Sequence, residues 1–117
     1  MTLSEYYEKI GGNYNDVIER LAKEDRIIKY LKQFAADKTL EEMNQQLEAE
    51  QYEQAFATVH NIKGLGLNLG LTPLIVTGGN VCDVLRNGRP SGDISELVDD
   101  LKRAYELITE NIALLDD

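Results

Sequence analysis

The chain holds a single histidine, His60, followed by Lys63, Gly64 and Gly70 at three, four and ten places on. Residues three and four apart share a face of a helix, so Lys63 and Gly64 stand one turn from the ring. Neutral imidazole is a competent nucleophile near neutral pH, since its ordinary pKa is about 6.5. Lys63 can run its stem along apolar surface and raise its ammonium towards a group that His60 holds, and a cation there suits a phosphoryl group. Glycine inside a helix costs about 1 kcal/mol against alanine, so Gly64 needs a reason other than helix stability. Access is that reason: the active site of another protein can press against bare backbone at Gly64.

These residues need a helix with one buried face. Tyr52, Ala55, Phe56, Val59, Ile62, Gly66 and Leu69 recur at helical spacing and form one apolar stripe. His60 falls roughly 100–130° from the centre of that stripe, on a flank open to water. Its neighbours there are Glu53, Ala57 and Gly64, two of which have almost no side chain, which predicts a low, approachable surface.

The run Ala57-x-x-His60-x-x-Lys63-Gly64, followed by Gly70 and Leu74, resembles the signature of histidine-containing phosphotransfer (HPt) domains. The resemblance extends from about Asp25 to about Leu115. It departs in detail: Val59 stands where the family commonly has alanine, and Gly66 where serine or alanine is frequent. The resemblance implies that His60 is the phosphoacceptor, taking a phosphoryl group from a receiver-domain aspartate and passing it to another receiver. It implies that Lys63 stabilises the phosphate and that Gly64 gives the partner room; Ala57 and Leu67 beside His60, with Phe56 at the edge, are the expected docking residues. The implied partners are response-regulator receiver domains and a hybrid sensor histidine kinase. No cofactor is expected, the magnesium ion belonging to the receiver. No glycine-rich phosphate loop follows a strand, so autonomous kinase activity is not expected. An interaction module of the same fold that binds a kinase or receiver without carrying phosphate is the alternative; the intact His60 and Lys63 argue against it.

Composition sets wider bounds. A chain of 117 residues suffices for one domain with its own core. The formal charge of −9 would repel a phosphate backbone, and no basic patch interrupts it, so nucleic acid is not an expected partner. No apolar run approaches the ~20 residues that span a bilayer, so no membrane is expected either. The lone cysteine, Cys82, and the absence of a signal-like N-terminus predict a cytoplasmic location. Cys82 is expected to be a small buried hydrophobe. No metal site is expected, because Glu41, Glu42, Glu48 and Glu50 have no histidine or cysteine near them.

The predicted fold is all-α: an antiparallel up-down-up-down four-helix bundle over residues 25–115, covered by short helices within 1–24, the whole of 1–117 forming one domain. Thr2 and Glu5 have capping-box spacing for a helix over Leu3–Ile10, and Asn13 can cap a second through about Ala22. Asp25 can cap a long helix carrying Ile27, Ile28, Leu31, Phe34 and Ala35 inward. Its stripe resumes at Leu40, Met43 and Leu47, which predicts one helix to Glu48, bent near Asp37. Thr39 and Glu42 could equally cap a new start. The helix of His60 should end near Gly70, with Thr72 capping the next and Pro73 at its first position. Gly78-Gly79 marks a close helix approach or a weak point, Asn87–Gly92 a loop, and Asp93 the start of a last helix with Ile94, Leu97, Leu101, Ala104, Tyr105, Ile108, Ile112 and Leu115 inward.

Overall fold

The structure, a computed structural model, describes residues 1–116. Among these there are seven helices and no strand: α1 (Leu3–Ile10), α2 (Tyr14–Leu21), α3 (Glu24–Ala35), α4 (Thr39–Glu48), α5 (Tyr52–Leu69), α6 (Thr72–Leu85) and α7 (Ser95–Ile112). The bundle is formed by a composite arm α3–α4 and by α5, α6 and α7; residues 49–51 and 70–71 join α4 to α5 and α5 to α6, connections short enough to favour antiparallel neighbours, and the longer loop 86–94 leads from α6 to α7, which packs against it. His60 lies midway along α5, the helix flanked by α4 on one side and α6 on the other.

The local sequence explains where the first helices begin. Thr2 Oγ1 accepts from the Glu5 amide at 3.2 Å while Glu5 Oε1 accepts from the Thr2 amide at 3.0 Å, the predicted capping box. Asn13 Oδ1 accepts from the Asp16 amide at 3.0 Å and starts α2 as expected.

Between α3 and α4 the structure corrects the sequence reading. In place of one bent helix from Asp25 to Glu48 there are two helices, separated at residues 36–38. The Ala36 amide is shared between the Lys32 and Gln33 carbonyls and the Asp37 amide reaches Phe34, so the last turn tightens and stops. Asp37 Oδ1 then accepts from both the Thr39 amide, at 3.0 Å, and the Thr39 hydroxyl. A carboxylate that satisfies the backbone two residues on offers an alternative to the helical ladder, and here it wins. Thr39 is therefore the first residue of α4 and not its cap, and Asp25 sits in the first turn of α3, which Lys23 precedes without a side-chain cap. Ala35, at the end of α3, is exposed and not inward.

Two later boundaries shift similarly. Thr72 and Pro73 are the first two residues of α6, with Leu71 at the cap position; the proline's missing N–H falls among unbonded first-turn donors in either register. Asp93 precedes α7 by two residues and accepts from the Ser95 amide at 2.9 Å.

The core contains Leu31, Phe34, Met43, Val59, Ile62, Leu74, Val81, Leu85, Leu101 and Ile108, each contributing about 1.5–3 kcal/mol of burial. Cys82 is buried among them, as expected. Tyr105 packs its ring on Phe34 at 4.9 Å; burial, and secondarily the charge of Asp37, push its phenol pKa up to about 12.

The N-terminal pair closes one end of the bundle. Leu3, Tyr6, Tyr7, Ile10 and Val17 are buried, with Ile18 and Leu21 partly so. The last carbonyls of α5 would otherwise lack partners. Arg20 donates to those of Leu67 and Asn68 at 2.9 and 2.6 Å, the Tyr7 hydroxyl to Leu69 at 2.5 Å, and the Asn13 amide to Gly70 at 2.9 Å. Burial raises the pKa of the Tyr7 phenol, which keeps it a donor. The covering helices thus pin the C-terminal end of the helix that carries His60.

Candidate functional site

The stripe of α5 lies where its spacing puts it. Ala55, Val59, Ile62, Gly66 and Leu69 are buried, Tyr52 and Phe56 partly so, and His60 is exposed. The Phe56 ring stands 6.1 Å from the His60 ring, centroid to centroid, with 40° between their planes. This contact limits the imidazole on its core side and leaves its other edge to solvent.

Bare backbone at Gly64 is a structural fact: a Cβ placed there meets nothing within 4 Å. Packing does not require glycine at this position. Ala57, one turn before His60, is exposed, and Leu67, two turns after it on the same face, is half exposed. An uncharged strip of Ala57, Gly64 and Leu67 therefore runs past the imidazole.

Lys63 turns towards α6. A Cβ built on Gly78 lies 3.6 Å from Lys63 Cβ, and one built on Gly79 lies 3.9 Å from Lys63 Cε. The glycine pair is a groove for the lysine stem in an unbroken helix, the first of the two possibilities its sequence offered. The ammonium forms no ion pair or hydrogen bond among the described residues. Its charge still reaches the neighbouring Cys82, whose thiol pKa burial raises and the charges of Lys63 and Arg86 partly restore.

On the other flank a depression of about 500 Å³ opens between α5 and α4, bordered by Asp37, Glu42, Thr58, His60, Gly64 and Leu65. Thr58, buried one place from the stripe, donates to Gln46 Oε1 at 2.7 Å and ties α4 to α5 beside His60. Sequence reasoning missed Thr58 and Asp37. Their parts depend on pairing with α4 and on the break at residues 36–38, and no spacing within α5 signals either.

The site thus combines an exposed imidazole, an unpaired ammonium on the α6 side, carboxylates on the α4 side and open backbone at Gly64. Such a surface offers a nucleophile and a cation to a reacting group that reaches it from solvent. No helix among the described residues is long and apolar enough to cross a membrane. No curated protein and no solved structure gives a significant match to the chain. A family model described as Hpt domain matches residues 29–115, which include the whole of α5.

Proposed function

The chain belongs to the Hpt domain family, a family of histidine phosphotransfer modules in two-component signalling, and on that premise we propose that His60 is its phosphoacceptor and exchanges phosphoryl groups with the aspartates of receiver domains. The observation that carries the proposal is the exposed ring of His60 beside open backbone at Gly64. In the forward step the Nε2 lone pair attacks the phosphorus of a receiver's aspartyl phosphate in line. The N–P bond forms as the P–O bond to the aspartate breaks, the carboxylate leaves with the bonding electrons, and the imidazole proton passes to water. Onward transfer runs the same geometry in reverse. Lys63 balances the charge of the phosphoryl oxygens, while Phe56, Ala57 and Leu67 receive the rim of the partner.

The module acts by positioning, with no nucleotide chemistry of its own; the magnesium ion that such transfer uses is held by the receiver. A hybrid sensor histidine kinase supplies the first receiver, and the location is cytoplasmic. The test is quench-flow transfer of ³²P from phosphorylated receiver domains to the wild type and to Gly64→Gln. The wild type becomes labelled, and a second receiver chases the label off. Gly64→Gln fills the open backbone and slows transfer by about 30- to 100-fold, the scale of a displacement of about 1 Å at the reacting centre. A wild type that binds receivers but takes no label, or a variant that transfers at full rate, overturns the proposal.

A further inference from the structure

A second cavity, of about 440 Å³, lies between α3 and α5. Tyr30, Phe34 and Leu65 form apolar parts of its wall, with the amides of Gln33 and Asn68 and the carboxylate of Asp37 beside them. Asp37, Leu65 and Asn68 also line the depression at His60, so the two adjoin. Asp37 is the one charged residue lining the second cavity. Both bonds from Thr39 go to its Oδ1, which leaves Oδ2 without a partner among the described residues.

We propose that this cavity receives one basic side chain, arginine or lysine, of the receiver domain that reaches His60, with Asp37 pairing its charge. This rests on the reading of His60 as the phosphoacceptor and adds how the partner is chosen. The occupant follows from the lining. A long aliphatic stem fits against Tyr30, Phe34 and Leu65, and a cation gains from the face of Tyr30, which is 40% exposed. A purely apolar side chain would strip water from the Asp37 carboxylate without replacing it, and an acidic one would be repelled. The net charge of −9 favours approach of a basic face for the same reason.

The experiment measures transfer from a panel of ³²P-phosphorylated receiver domains, using the fastest donor, to wild type, Asp37→Asn, Gln33→Lys and His60→Gln. Asparagine keeps an Oδ1 for both Thr39 bonds, so Asp37→Asn removes the charge and preserves the α3–α4 junction. Gln33→Lys, at an exposed position, brings a competing ammonium to the cavity. Both variants are expected to raise the apparent KM about three- to tenfold, with the saturating rate within twofold of wild type and a flatter dependence on salt. Unchanged KM and salt dependence in both, with His60→Gln inactive, overturn the pocket and leave the phosphoacceptor standing. A fall in saturating rate without a change in KM also overturns it. Full labelling of His60→Gln overturns the reading beneath both.

Discussion

Replacing His60 by glutamine is expected to lower phosphoryl acceptance by about 10³-fold or more, leaving thermal stability within about 0.5 kcal/mol of wild type. Two independent features of the ring set these expectations. It is exposed, makes no hydrogen bond among the described residues, and stands 6.1 Å from the Phe56 ring, so little folding energy depends on it. The glutamine amide has the bulk and polarity to replace it on a solvated helix flank, but its nitrogen lone pair is delocalised and does not attack phosphorus. Initial rates of label transfer and thermal melts of both proteins check the two halves. Equal labelling would move the acceptor elsewhere, and a large fall in melting temperature would show that the ring supports the fold.

The largest loss of stability is expected at Gly70. Its φ of 66° lies in the left-handed region, and a Cβ there would sit 2.6 Å from the Asn13 carbonyl oxygen and 3.3 Å from Val17 Cβ. Gly70→Val combines a β-branched residue in that conformation with a backbone clash that a small shift cannot relieve. The cost is about 3 kcal/mol or more, a fall of more than about 10 °C in melting temperature. Since the Gly70 carbonyl accepts from the Asn13 amide, the same clash pushes α1–α2 away from the end of α5. Urea unfolding should show a lower midpoint. An unchanged midpoint would mean that this junction does not hold the covering helices.

The helix of His60 was legible in the sequence because one stripe, one terminating glycine and one set of small residues all agree on its register. Burial at Val59 and Ile62, exposure at His60 and the left-handed cap at Gly70 follow from that agreement. The capping box of Thr2 and Glu5 was legible for a similar reason, because its two partners lie within four residues of each other. The break between α3 and α4 was not. Apolar spacing continues from Phe34 through Leu40 to Met43, and only the Asp37 side chain, folded back on Thr39, interrupts the ladder. Ala35 has the type and nearly the phase of a buried residue, yet the helix ends beside it and leaves it in water. Thr58 stands on α5 itself but pairs with Gln46 of α4, and Asp37 borders the His60 depression from the α3–α4 junction; a wheel drawn on α5 alone carries no trace of either pairing.

The uncharged strip beside His60 stood between these extremes. Ala57 and Leu67 could be placed on the same face as His60 by helical arithmetic, and both are exposed there. The groove that Gly78 and Gly79 make for Lys63 needed the neighbouring helix, since the pair alone fits a weak point equally well.

Phosphate is expected on one ring nitrogen of His60, and ³¹P–¹H correlated NMR of the ¹⁵N-labelled protein, phosphorylated by a receiver domain, reads that bond itself. The predicted result is a single phosphoramidate resonance coupled to the His60 ring protons through Nε2, lost in acid and stable in base. A phosphorus signal on a carboxylate or hydroxyl, or a His60 ring unchanged after stoichiometric labelling, would contradict it.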